Sequence, residues 1–337
     1  MKKLILITND YLKFNNNSVS SNYNDTINII QAISKNNFLY FLCRQKNIKG
    51  IFKTFLKKKK KLKFSDIFSL DFSDKSIFMI SITPFNFIIY FLIKLLNKNL
   101  NGFVYLRSDG HKEYFIKYGF LGKIIYQFFF TRILKDLNVI TVSKNLTDVH
   151  NYKTFRVFPS EIDDGWKKNL KKTSTEKAKL FYLGRLKKEK GVFSLINLLN
   201  KFSIDFDLNI LGATKTKKSP STRIKYHLET SRKRKIIEFF DKNNIFILPS
   251  YTEGCPKVVL ESLSRLRPVI IFKEISHVKG NFKGVFVSNR NPKSLQKTII
   301  YILNNYKKIQ KSMKNNKISS KLKFQTDLRN LIKTNRY

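Results

Sequence analysis

Glu253 and Glu261 are separated by seven residues within Ile245 to Ile271, IFILPSYTEGCPKVVLESLSRLRPVII. Two carboxylates at that offset can accept hydrogen bonds from the hydroxyls of a sugar or a ribose. Gly254 lets a ligand come close to the backbone, and a helix start just beyond it offers free N–H groups to an anion. A second set of candidates lies upstream, in Leu180 to Leu199, LFYLGRLKKEKGVFSLINLL. Arg185 presents a planar fork to phosphate and Lys190 a point charge. Such cations can stabilise the negative charge that grows on a departing diphosphate. Taken alone, Lys187, Lys188 and Lys190 read equally well as a solvated loop.

The elements that must hold these residues follow from hydrophobic patterning. Ile245 to Leu248 is an apolar, strand-like run that breaks at Pro249-Ser250. A polar loop, Tyr251 to Pro256, leads into a helical pattern carrying Glu261, and Val269 to Ile271 is a second apolar run. Strand, loop, helix, strand is the repeating unit of a parallel α/β sheet. Glu253 is thereby placed at a strand's C-terminal end, where open α/β sheets bind ligands. Leu180 to Leu183 is likewise a strand, ended by Gly184-Arg185 and followed after Lys190-Gly191 by an amphipathic helix.

Glu253, seven residues and Glu261, after an LPS strand end and before Pro268-Val269-Ile270, resemble the retaining glycosyltransferases of family 4. Gly184-Arg185 and then Lys190-Gly191 match the same family at its spacing, in the expected order. The resemblance implies a GT-B fold, two Rossmann-like doubly wound domains facing a cleft. It also implies that Arg185 and Lys190 bind the donor diphosphate. Glu253 then lies by the donor sugar with the Gly254 backbone beside it, and Glu261 binds the ribose. Gly212, in Leu211-Gly212-Ala213, matches a strand-end glycine near the nucleotide. The usual Gly-x-Gly continuation is replaced by Ala213-Thr214-Lys215-Thr216-Lys217, and Leu266 stands where the family often has Gly. The acceptor side is less marked. Family members often carry a Gly-Gly loop after the first strand, whereas this chain has Tyr11 to Asn17 with no glycine. A catalytic histidine near Val104 to Tyr114 falls to His111, with Arg107 or Asp109 as the alternatives. Ser143, in Ile140 to Leu146, either belongs to the family's strand-end Ser-x-x-Leu pattern or caps the next helix.

Composition bounds the rest. The 337 residues suffice for two domains, with 42% apolar content to fill two cores. Lys and Arg number 66 against 23 Asp and Glu, a formal net charge of +43. So basic a chain should meet anionic surfaces. No nucleic-acid motif accompanies the charge, so the expected surface is membrane lipid, and no nucleic-acid partner is expected. The densest run, Lys57 to Lys63, is the expected site of contact. Cys43 and Cys255 lie far apart, which fits a reducing compartment and a cytoplasmic or membrane-peripheral location. Ile77 to Ile93 is too short for a span and is interrupted by Thr83-Pro84. No metal-ligand spacing appears, so neither a metal nor a further cofactor is expected.

The expected organisation is an N-terminal acceptor-binding domain over 1–158, a nucleotide-sugar domain over 159–319 and a C-terminal helix over 320–337 that crosses back. In the first domain, Ile48 to Leu56 and Tyr118 to Leu134 are expected helices. The function that follows is transfer of a sugar from a nucleoside diphosphate sugar to a glycan or lipid-linked acceptor. Surface polysaccharide, lipopolysaccharide or glycolipid synthesis is the expected setting. The rival is a non-catalytic basic protein on a degenerate GT-B scaffold, binding anionic lipid or nucleic acid.

Overall fold

The computed structural model describes residues 2–44, 48–142, 152–214 and 221–334. Two compact units emerge: Met1–Pro159 together with Lys321–Tyr337, and Ser160–Ser320.

The first unit is built on a sheet that shows nine strands among the described residues. They are β1 (Lys2–Asn15), β2 (Ser18–Ser21), β3 (Asn37–Arg44), β4 (Phe52–Phe55), β5 (Lys59–Lys61), β6 (Lys75–Ile80), β7 (Gly102–Leu106), β8 (Asn138–Thr141) and β9 (Thr154–Arg156). Parallel pairing runs β5-β3-β1-β6-β7-β8-β9. The far half of β1 continues beyond that ladder and turns back as a hairpin with β2, against which β4 adds antiparallel. The central strands are continuous apolar runs, with Ile5, Phe78, Val104 and Val139 fully buried, as helices on both faces of a parallel sheet require. Helix α1 (Asn24–Ser34) follows the hairpin, and α2 (Pro84–Leu96) starts at a Thr83 cap whose hydroxyl accepts from the Asn86 N–H, with proline in the first turn. Helix α3 (Gly110–Leu134) is capped by Asp109 and broken at Gly119, whose φ of 69° leaves the helical region.

The second unit has six strands among the described residues: β10 (Ala178–Leu183), β11 (Phe206–Ala213), β12 (Ile224–Leu228), β13 (Ile245–Leu248), β14 (Val269–Phe272) and β15 (Val285–Ser288). All are parallel, in the order β12-β11-β10-β13-β14-β15. The order reverses between β10 and β13, the topological switch point of a doubly wound sheet. Helices α4 (Asp164–Lys167), α5 (Val192–Leu199), α6 (Lys233–Lys242), α7 (Lys257–Ser264), α8 (Pro292–Asn304) and α9 (Tyr306–Met313) complete it. Behind α7 lies a buried ionic network. The Arg265 guanidinium meets Asp241 at 2.7 Å and donates to the backbone carbonyls of Trp166, Lys168 and Asn169. Arg267 donates to the carbonyls of Phe240 and Lys171. Between the two arginines, Leu266 takes φ +54°, a left-handed conformation that favours glycine. The last helix, α10 (Lys321–Thr334), belongs to the first unit, where it packs on α1 and Gln325 bonds Gln31 at 2.8 Å.

Several expectations change. Ile48 to Leu56 is not helical: Phe52–Phe55 is strand β4, stabilised by pairing with β2. The glycine-free stretch Tyr11 to Asn17 is not a loop but the extension of β1 and the turn of its hairpin. Helix α3 begins eight residues earlier than Tyr118, because the Asp109 cap starts it at Gly110. Residues Ser143 to Leu146 and Lys215 to Lys217 lie outside the described residues.

Candidate functional site

The switch point of the second sheet gathers most of the residues that the sequence singles out. Strand β10 ends at Gly184, whose φ is +155° and whose N–H donates to the Leu211 carbonyl at 3.0 Å. Across from it Gly212 closes β11, and a Cβ there would sit 2.0 Å from the Gly184 carbonyl oxygen. Gly212 is therefore a packing requirement, whereas at Gly184 the positive φ favours glycine. The chain then runs through Arg185, which is exposed, into a short turn at Lys188–Lys190. Gly191, with φ +65°, hands over to α5, and a Cβ on it would meet the Pro249 carbonyl oxygen at 2.0 Å. That approach brings the two motifs together. The Tyr251 N–H donates to the Glu189 carbonyl at 3.0 Å, and the Lys190 Nζ lies 2.6 Å from the Glu253 Oε1.

Glu253 is the centre of the arrangement. The Ser250 hydroxyl donates to the same carboxylate oxygen at 2.6 Å, and the His277 Nε2 lies 3.0 Å from the Glu253 carbonyl. Burial, and after it the Glu253 charge, push the Tyr182 phenol up; its hydroxyl donates to the Arg185 carbonyl at 2.9 Å. A neutral Tyr182 thus braces the backbone beneath Arg185 without adding charge. Gly254 is buried, and after it Pro256 precedes α7. Glu261 stands in the second turn of α7, half-buried. The helix opens with Lys257, whose Nζ is 2.6 Å from the Glu161 Oε1.

Two participants carried no sequence signal. Arg290 follows β15, far from either motif, yet donates to the Pro249 carbonyl at 3.0 Å and pairs with Glu274 at 2.5 Å. Its guanidinium stacks 4.1 Å from the Tyr251 ring centre and 4.3 Å from that of Phe272. It clamps the loop that bears Glu253. His277 reaches the same loop from the turn after β14, and nothing in its local sequence marks it.

His111 is placed in the first unit, in the first turn of α3 rather than in a loop. Its Nε2 lies 2.6 Å from the Gln127 Oε1, and its ring meets Tyr126 and Phe130 edge-on. Arg107 is differently engaged, 3.1 Å from Asp10 and 3.0 Å from the Ser81 hydroxyl, while Asp109 caps α3. Among the described residues no cluster of three or more His, Cys, Asp or Glu side chains could hold a metal ion.

The architecture around Lys190 and Glu253 has known counterparts. The family model for Glycosyl transferases group 1 matches residues 166–319, which covers both motifs and the whole switch point. Over that stretch the chain is similar to the group 1 glycosyltransferases. TuaC of Bacillus subtilis, named for a glycosyltransferase role in teichuronic acid biosynthesis, is 29% identical over 122 residues. That alignment covers 35% of this chain and 31% of TuaC, so the chain spans about a third of that relative. Solved structures extend the likeness to the complete fold. Sucrose-phosphate synthase from Thermosynechococcus elongatus superposes with a TM-score of 0.65 at 11% identity, covering 98% of this chain and 95% of that one. Anabaena HepE, solved with UDP and glucose, gives 0.66 at 9% identity over 99% and 100% of the two chains. A glycosyltransferase from Rickettsia africae gives 0.61 at 13% identity and 99% coverage of each. The fold of the chain is accordingly GT-B, built from two Rossmann-like units.

Proposed function

We propose that the protein is a retaining glycosyltransferase of family 4. It moves a sugar from a nucleoside diphosphate sugar to a glycan or lipid-linked acceptor, in surface polysaccharide, lipopolysaccharide or glycolipid assembly. One observation carries the reading: the Lys190 ammonium and the Glu253 carboxylate, 63 residues apart in sequence, meet at 2.6 Å at the switch point of the stretch similar to group 1 glycosyltransferases. A cation for a diphosphate and an acceptor for sugar hydroxyls are thus adjacent, at the place where such sheets bind nucleotides. The naming of TuaC supports an acceptor of the surface-polymer class.

In this reading Arg185, Lys190 and the amide end of α5 hold the two phosphates. Glu253 orients the sugar over the Gly254 backbone, Glu261 holds the ribose, and Gly212 lies near the nucleotide, where it lets β11 pack against the Gly184 turn. The acceptor oxygen forms its bond to the anomeric carbon as the bond from that carbon to the phosphate oxygen breaks. The acceptor proton passes to the leaving diphosphate, so no enzyme nucleophile is required. Charge on the leaving group is met by the cations, and the proposed reaction uses no metal. His111 is proposed as an acceptor-side residue. The protein is proposed to act at the inner face of a membrane; among the described residues no helix is long and apolar enough to cross one.

The test is a donor screen. The full chain is incubated with a panel of nucleotide sugars, and released nucleoside diphosphate is measured with Arg185→Ala as control. Release from one donor by the wild type alone is expected. Equal background release by both proteins on every donor would overturn the reading in favour of a basic binding protein on a degenerate scaffold.

A further inference from the structure

Helices α2 and α3 leave an apolar surface uncovered. On α2, Ile88, Phe91 and Leu95 recur at helical spacing and are all exposed. On α3, Leu121, Ile124 and Phe128 do the same, and Leu121 is 72% exposed. The two stripes are continuous, because Phe87 stacks on Phe91 and meets Phe128 edge-on with ring centres 5.7 Å apart. At the Gly119 break the chain turns Tyr118 and Phe120 outward as well, both about two-thirds exposed. A soluble protein gains nothing by presenting so contiguous a patch to water.

The charges around it indicate what covers it. Between them α2 and α3 carry five basic residues, Lys94, Lys112, Lys117, Lys123 and Arg132, against a single acid, Glu113. Lys112, Lys117, Lys123 and Arg132 are exposed, and the Arg132 guanidinium lies over the Phe128 ring at 5.4 Å. A second copy of a chain of net charge +43 would bring like charges to this rim. An anionic bilayer supplies the opposite charge together with an apolar interior. Phenylalanine and leucine on one face with a basic border is the pattern of a helix that lies in the membrane–water boundary.

We propose that the α2–α3 face of the first unit is a membrane-docking surface, seated in anionic lipid by insertion of Leu95, Leu121, Ile124 and their neighbours. Insertion, unlike attraction between exposed charges, is not screened by salt. The surface is distinct from the Lys57 to Lys63 run and rests on the membrane location proposed above, but its binding is read without any transfer reaction, so its failure is distinguishable from failure of the proposed activity.

The experiment is sedimentation of the full chain with vesicles of phosphatidylcholine and phosphatidylglycerol in equal parts, at low salt and at molar salt. The wild type should stay vesicle-bound in molar salt. The double variant Leu95→Gln, Leu121→Gln should lose at least tenfold of that salt-resistant partition while retaining low-salt binding. Leu121→Trp gives a second readout that keeps the face apolar. The chain's one tryptophan, Trp166, is buried in the second unit, so a blue shift on adding vesicles reports position 121. Equal molar-salt binding by the double variant, or no shift at Trp in vesicle-bound protein, would overturn the proposal. So would a lipid-free dimer of the wild type that the double variant dissolves, since that assigns the face to a second copy.

Discussion

Replacing Glu253 by glutamine should tighten, not weaken, the grip on a free nucleoside diphosphate. The Lys190 Nζ and the Glu253 Oε1 are 2.6 Å apart, with side-chain exposures of 20% and 11%. At an effective dielectric constant near 20, two unit charges at that distance attract by roughly 6 kcal/mol. Desolvation costs several kcal/mol per ion and offsets most of this. A net coupling on the order of 1–2 kcal/mol remains, which an incoming phosphate must overcome to recruit Lys190. The amide of Glu253→Gln keeps an oxygen for the Ser250 hydroxyl but no longer holds the ammonium by charge, and it no longer repels phosphate. Affinity for the diphosphate should therefore rise by about tenfold, the equivalent of about 1.4 kcal/mol. Transfer should fall by about a hundredfold, because the carboxylate is the proposed partner of the sugar. Glu261→Gln should do the reverse, weakening nucleotide binding itself. Titration calorimetry at low salt, with the diphosphate selected by the donor screen, measures both variants. A tenfold loss of affinity in Glu253→Gln would show that this carboxylate supports the nucleotide and would refute the division of labour between the two acids.

Arg185→Ala and Lys190→Ala should each lower turnover about a hundredfold with native circular dichroism, because preorganised charge at a leaving group contributes that much; wild-type rates in both would remove the diphosphate assignment. Asp241→Asn should destabilise the second unit by about 3–5 kcal/mol, since it leaves two buried guanidinium groups without their carboxylate. At about 2–4 °C per kcal/mol, its thermal midpoint should drop by roughly 6–20 °C, and a shift near zero would contradict the burial of the network. Replacing Lys57, Lys58, Lys60 and Lys61 with glutamine should weaken binding to anionic vesicles at low salt only. Lys59 is spared because its ammonium bonds the Asn16 and Leu56 carbonyls at 2.7 Å; unchanged low-salt binding would remove this edge from the account.

The strands of the second unit were legible because their signals are local. Ile245 to Leu248 and Val269 to Phe272 are uninterrupted apolar runs that only a strand covered on both faces accommodates, and the strands fall there. The first unit was harder to read where its strands depend on distant partners. Phe52–Phe55 has no local preference strong enough to distinguish it from a helix, and its strand state rests on β2, more than thirty residues upstream. The hairpin at Asn15 to Ser18 lacks the glycine that usually announces one. Within the candidate site the pattern is the same. Arg185, Lys190, Glu253 and Glu261 belong to spaced motifs, whereas Arg290 and His277 reach the Glu253 loop from separate turns, and only folding shows it. Leu266 is the converse case. Its departure from a family glycine was visible in sequence, but the left-handed backbone that explains the glycine was not.

The return of α10 to α1 has a consequence for how the molecule is made. The first unit is assembled from two separated stretches, whereas the second is one continuous stretch, Ser160–Ser320. A ribosome releases the chain from its N-terminus, and domains fold as their residues emerge. The unit begun first is thus completed last: its sheet must wait, with the face of α1 uncovered, while all of the second unit is synthesised. Phe324, Leu328 and Ile332, which α10 buries, arrive only then. Cutting between the units separates the second as a whole piece but leaves the first without its closing helix. The second unit is therefore the one suited to expression alone, and a cell making this protein must shelter the first unit until α10 has been made.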